Sequence, residues 1–114
     1  MFTIRKDQLD ALEDSWRADF YRRMAGRLRE FLPEQTAPLD DAALLARVAD
    51  GDRRARRYGI ETERGIVQFL GLTFMAGPRF DEIPQVQAYL RFPDLHPDRK
   101  MDILVDYLVK HPPQ

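Results

Sequence analysis

The stretch ERGIVQFLGLTFMA, residues 63–76, decides the fold. Its apolar side chains, Ile66, Val67, Phe69, Leu70, Leu72, Phe74 and Met75, are spread around most of a helix circumference. A helix of that kind has to be covered on several sides, which places it at the centre of a bundle. Thr62 can cap its first free N–H groups, and Gly77-Pro78 stops it. Gly71, inside it, is best tolerated where another helix passes close to its backbone. The window from Ile66 to Ala76 is about half of the roughly 20 apolar residues that span a bilayer, so it reads as a buried helix and no membrane insertion is expected.

Upstream, Leu9, Leu12, Trp16, Phe20, Met24, Leu28 and Phe31 recur every three or four residues, the period of one helix face. A long first helix from about Lys6 to Leu32 follows, with that stripe facing the core and Pro33 ending it. Glu13 with Arg17, and Asp19 with Arg23, are acid-before-base pairs at a spacing that favours an exposed helix side. Thr36 and Pro38 form a loop, and Asp40 or Asp41 caps a second helix. Its inward residues are Leu44, Leu45, Val48 and Ala55. Gly51 weakens its middle by about 1 kcal/mol relative to alanine, so a bend or local fraying is expected there. Tyr58-Gly59-Ile60 is a helix end in which Gly59 takes the left-handed conformation and Ile60 packs back.

Downstream, Gly77 to Ile83 is an irregular stretch, and Pro84 to Leu90 a short helix closed by Phe92 and Pro93. The last helix begins near His96, with Pro97 at its first position and Asp98 in its first turn, and runs to about Lys110. Met101, Leu104, Val105 and Leu108 form its buried stripe, and Pro112 and Pro113 end the fold. The expected architecture is all-α: a compact bundle of about five helices with a long N-terminal helix and a buried central one.

Composition fits one domain over residues 1–114. Hydrophobic residues make up 44% and charged residues 32%, enough apolar material for a core. A net charge of −1 supplies no broad attraction to nucleic acid or anionic membrane. With no cysteine, disulfides, thiolate zinc sites and cysteine nucleophiles are excluded, and the charged N-terminus lacks the apolar core of a secretory signal, so a cytoplasmic location is expected.

Catalytic chemistry finds no purchase. Ser15, the only serine, lies within the first helix, and His96 and His111 stand at opposite ends of the last helix, about 20 Å apart along its axis. No catalytic residue, no cofactor and no metal are assigned, and the chain is read as a non-enzyme. Asp98, Asp102 and Asp106 repeat every fourth residue and form an acidic ridge. A solvated face is its first reading; a binding ridge, or an internal pairing with the second helix's arginines, is the next. A His96-assisted cation site would need more convergent oxygens.

The run Arg53-Arg54-Ala55-Arg56-Arg57 can grip an acidic protein surface or phosphate through forked hydrogen bonds. Here too a solvated helix side comes first, a protein-contact patch using Arg53, Arg54 and Arg57 second, and nucleic acid last, since Tyr58 is the one aromatic beside it. On this reading Arg54→Glu would leave stability nearly intact. Phe80 is a further contact candidate, offered from a loop with free backbone groups.

Ile4 to Leu9, the helix ending Leu28-Arg29-Glu30-Phe31-Leu32-Pro33, Arg57-Tyr58-Gly59-Ile60, Glu63 to Leu72, Gly77 and Phe80-Asp81 together resemble a small proteobacterial family encoded beside type VI secretion effectors and spike proteins. The resemblance covers most of the chain and departs from it in Thr73 to Ala76 and Pro84 to Phe92, where the family pattern includes a tryptophan. It implies a non-catalytic accessory protein whose partner is a secreted effector or spike component, acting as an adaptor or chaperone, or as an immunity protein that neutralises a neighbouring toxin. A nucleic-acid-binding regulator using Arg53 to Arg57 is the third expectation, and the oligomeric state is left open.

Overall fold

The computed structural model describes residue 3 and residues 5–111; Ile4, Pro112 and Pro113 lie outside them. Among the described residues there are six α-helices, in order: α1 (Lys6–Phe31), α2 (Pro33–Thr36), α3 (Asp41–Arg57), α4 (Glu63–Met75), α5 (Pro84–Leu90) and α6 (Pro97–Lys110). A single 3₁₀ turn, Phe80–Glu82, precedes α5, and the described residues contain no strand. The fold is all-α.

The residues at the helix starts explain where the helices begin. Asp40 accepts a hydrogen bond from the Ala43 N–H at 2.7 Å, and the Thr62 hydroxyl accepts from Gly65 N–H at 3.1 Å. Both satisfy donors that a helix N-terminus leaves free. His96 does the same for α6, its Nδ1 accepting from the Asp98 N–H at 3.2 Å with Pro97 at the first position. At the end of α3, Gly59 has φ +82°, and Ile60 N–H donates to the Ala55 carbonyl at 3.2 Å. This is the expected left-handed stop.

The central helix is α4, which packs against α1, α2, α3 and α6. Its Ile66, Phe69, Leu70 and Leu72 meet Met24 and Leu28 of α1, Leu44, Val48 and Ala55 of α3, and Met101 and Leu104 of α6 in one continuous core. Tyr89 donates to the Lys100 carbonyl at 3.0 Å, and the buried Lys100 ammonium donates to the Leu90 carbonyl at 2.8 Å. A cation at the last carbonyls of α5 is the charge that end of a helix favours, and it ties α5 to α6.

Several expectations are corrected. Pro33 follows the end of α1 as expected, but it also starts the short helix α2, so Thr36 belongs to a helix and not to a loop; the link from α2 to α3 is held by Arg29 donating to the carbonyls of Thr36 at 3.1 Å and Leu39 at 2.8 Å. Gly51 neither bends nor frays α3, which is continuous; it is buried where Leu70 crosses, and an added Cβ would collide with the Leu70 side chain. Gly71 has nothing within 4 Å of where a Cβ would stand, so the close helix approach belongs to Gly51. The ion pairs along α1 are one residue closer than expected: Arg17 meets Asp14, and Asp19 meets Arg22 because Arg23 reaches across to Glu63.

The largest correction concerns α1. Of its apolar stripe only Met24 and Leu28 are buried; Phe20 is half-buried, while Leu9, Leu12 and Trp16 are 42%, 39% and 64% exposed, and Phe31 is exposed too. Every residue from 5 to 17 is exposed. At 1.5 Å per residue the helix is about 39 Å long, and a small domain is about 30 Å across, so its first three turns overhang the body. The long dimension of the molecule, 58 Å against 37 and 19 Å, reflects this overhang.

Candidate functional site

Where the overhang of α1 joins the body, α1 and α3 enclose an open groove of about 700 Å³. Trp16, Arg17, Phe20 and Tyr21 line it from α1, and Asp52, Arg53 and Arg56 from α3. The spacing 16, 17, 20, 21 puts one side of α1 over the groove, and 52, 53, 56 does the same for α3.

The floor is a fixed polar network. The Tyr21 hydroxyl donates to Asp52 Oδ2 at 3.0 Å, and Arg56 Nε donates to Asp52 Oδ1 at 2.9 Å, so both carboxylate oxygens of this buried residue are occupied. Burial raises the Tyr21 hydroxyl above its ordinary pKa, and the neighbouring Asp52 charge adds to the rise. That phenol stays protonated and acts as a donor. Above the floor, Phe20 tilts against Tyr21 with ring centres 6.0 Å apart, and the guanidinium groups of Arg23 and Arg56 lie 5.6 and 5.8 Å from the Phe20 ring centre. Rings next to arginines are the composition of surfaces that contribute most to protein binding. Each groove arginine already meets a carboxylate, Arg17 with Asp14 at 3.2 Å, Arg53 with Asp50 at 3.7 Å and Arg56 with Asp52 at 2.9 Å, so an apolar side chain flanked by acids would enter by exchanging with the two exposed pairs, those of Arg17 and Arg53.

The arginine run does not form one patch, because consecutive residues on a helix point in different directions. Arg53 faces the groove and lies 3.7 Å from Asp50. Arg54 turns inward, 8% exposed, with the Asp81 carboxylate as its closest partner and Asp50 at 3.1 Å. Its guanidinium lies 5.8 Å from the Phe69 ring centre. Burial pulls its pKa down, and hydrogen bonds and charge from Asp81 and Asp50 more than reverse that. Asp81 is buried as well, and its other oxygen accepts from the Tyr58 hydroxyl at 3.0 Å. Arg54 therefore holds α3 to the 3₁₀ turn, and the expectation that it faces solvent is overturned. Arg57 opens on a separate pocket of about 150 Å³ that it shares with Tyr58, Arg79 and Arg91.

Phe80 is likewise an anchor. It is 2% exposed and tilts against Phe69 with ring centres 4.9 Å apart, so the segment expected to offer it from a loop inserts it into the core. Burying an aromatic ring removes some 150 to 250 Å² from water, more than an exposed loop position would recover. The acidic ridge pairs internally, yet with α4 and not with the arginines of α3. Asp98 accepts from the Thr62 hydroxyl at 2.7 Å, and Asp102 meets Arg64 at 2.8 Å and Gln68 at 2.9 Å. Asp106 pairs only with Lys110 of its own helix, at 3.1 Å, among the described residues.

Of the candidates read from sequence, then, Arg53 lines the groove together with Arg56 of the same arginine run; the other lining residues are Trp16, Phe20 and Tyr21, expected as core, and Asp52, which carries no expectation. The length of the first helix was the available signal, since a stripe running its whole length exceeds what one small body can cover. Among the described residues no group of three His, Asp or Glu side chains is arranged to hold a metal ion, and no helix is long and apolar enough to cross a membrane. No family model, curated protein or solved structure matches this chain.

Proposed function

We propose that this chain is a non-catalytic protein-binding accessory protein that recognises its partner through the overhanging half of α1 and the α1–α3 groove. The observation that carries the reading is Trp16, 64% exposed and continuous with exposed Leu9 and Leu12 on one side and groove residues on the other. A tryptophan left in water forgoes the burial that large aromatic residues otherwise find, and an interface restores it. The resemblance to a family encoded beside type VI secretion effectors supplies the partner class: a secreted effector or spike component, with this chain as its adaptor or chaperone.

Tagged wild-type chain and Trp16→Asp are to be compared for capture of the neighbouring effector or spike component, identified by mass spectrometry. Trp16 is exposed, so the variant folds. Capture by the wild type and its loss in the variant are expected; equal capture by both would refute the groove as the docking surface. Effector activity retained in the complex goes with the adaptor role, whereas rescue of toxin-expressing cells would assign immunity instead. The splitting of Arg53 to Arg57 around α3 weighs against the nucleic-acid reading, because no continuous stripe of cations follows a phosphate backbone.

A further inference from the structure

Along α1 the charges are segregated. Asp7, Asp10, Glu13 and Asp14 occupy the overhanging turns, with Lys6 the one cation among them. Arg17, Arg22, Arg23, Arg27 and Arg29 occupy the remainder, with Asp19 and Glu30 the acids. The overhang thus carries exposed Leu9 and Leu12 beside carboxylates, and the groove offers aromatic rings beside Arg17, Arg53 and Arg56. Each half of the helix has the chemistry the other half lacks. A surface complementary to itself under a twofold rotation closes into a dimer.

We propose that the occupant of the groove is a second copy of this chain, the two α1 helices pairing antiparallel about a twofold axis near Asp14 and Ser15. This rests on the reading of the groove as a docking surface and gives its occupant in the free chain, the copy that an effector or spike component displaces to reach the same residues. In that register the second copy's Leu9 lies opposite Phe20, and its Leu12 opposite Trp16. At 100° per residue, Asp10, Glu13 and Arg17 share one flank of the apolar seam, the flank that also faces α3. Antiparallel pairing sets that flank against its own copy, so Asp10 and Glu13 of each chain face Arg17 and Arg53 of the other. The cost is small, because Arg17 and Arg53 give up only exposed pairings, with Asp14 at 3.2 Å and with Asp50 at 3.7 Å. The gain includes order in the overhang itself: three helical turns standing alone in water are marginal, and a second helix covers them.

Sedimentation and intrinsic fluorescence test this, because Trp16 is the only tryptophan. The full chain is expected to sediment at about 27 kDa, twice its 13.4 kDa, and to show Trp16 emission that shifts to the red as dilution separates the copies. Added salt should promote the same separation. Leu9→Glu with Leu12→Glu should be monomeric with red-shifted emission, and its helix content, read by circular dichroism, should retain the fold, since both residues are exposed. A chain carrying Asp10→Arg and Glu13→Arg, and another carrying Arg17→Glu and Arg53→Glu, should each be monomeric alone and pair when mixed. That rescue is independent of whether the leucine variants fray the helix end.

A wild-type chain that is monomeric at every concentration overturns the proposal. So does a dimer that survives the leucine substitutions, which would place the contact elsewhere. A monomeric wild type whose capture of an effector still depends on Trp16 overturns the second copy as occupant while leaving the docking surface in place; capture indifferent to Trp16 removes the docking surface as well.

Discussion

Replacing the buried Arg54 by methionine should cost this protein far more than the same change at its exposed arginines. The substitution keeps an unbranched stem that reaches about as far as Nε and removes the guanidinium, leaving the buried Asp81 carboxylate with only the Tyr58 hydroxyl. Removing one partner of a buried pair costs about 3 to 5 kcal/mol, because the remaining charge is left uncompensated in a medium of low dielectric. With an unfolding entropy of about 2.1 cal/mol/K per residue, 1 kcal/mol moves the melting temperature of a chain of 114 residues by about 4 °C. Arg54→Met is therefore expected to melt about 12 to 20 °C lower, in scanning calorimetry or by circular dichroism. Arg53→Met, one residue away on the exposed side, should change it by about 2 °C or less. Adding Asp81→Leu to Arg54→Met removes the stranded charge and should recover roughly 2 kcal/mol, a coupling that only a direct pair produces. A fall of less than about 3 °C in Arg54→Met, or a double variant no more stable than the single, would mean that this guanidinium faces solvent after all.

Leu70→Asp should abolish cooperative unfolding near room temperature, since it puts an unpaired carboxylate into α4 where the native side chain is fully buried; an unchanged melting temperature would refute that placement. Gly51→Ala and Gly71→Ala should have opposite signs: the first crowds Leu70 and loses about 1 to 3 kcal/mol, while the second gains up to about 1 kcal/mol of helix propensity in open space. Equal effects in urea titrations would contradict the crossing at Gly51. Tyr21, Tyr58 and Tyr89 are each raised above the ordinary value of 10.0, in every case chiefly by burial. The unfolded chain ionises these phenols first, so their contribution is complete below pH 10 and is lost as pH rises through the higher folded values. Melting temperature should fall above about pH 10, with tyrosinate absorbance appearing later than in the unfolded chain; an unchanged melting temperature across that range would count against it.

The fold was legible in the sequence wherever one local rule acted alone. Thr62 and Asp40 cap because a short oxygen side chain before an apolar run has one good use, and Gly59 ends α3 because only glycine takes that conformation without strain. The central position of α4 followed from apolar residues on all its sides. What stayed hidden depends on neighbours distant in sequence. Whether Gly51 or Gly71 receives a crossing helix is fixed by which residue stands opposite, and Leu70 decides it. Arg54 looks like its neighbours in the run until Asp81, in a segment without periodicity, is brought beneath it.

The site was hidden for a different reason. A helix stripe reports that a face is apolar, and it carries no information on whether the cover comes from the same chain or another. In α1 both occur on one unbroken stripe: Met24 and Leu28 are covered by α3 and α4, while Leu9, Leu12 and Trp16 continue the same period into water. Charge separates the two halves where hydropathy does not. The arginines of the covered half meet carboxylates across the fold, as Arg23 meets Glu63 and Arg29 meets Asp41, whereas Asp7, Asp10, Glu13 and Asp14 find no cation beyond their own helix and the adjoining Arg5 among the described residues. In the proposed dimer this apolar stripe and its flanking acids are completed by the second copy, whose groove arginines have the sign to meet them.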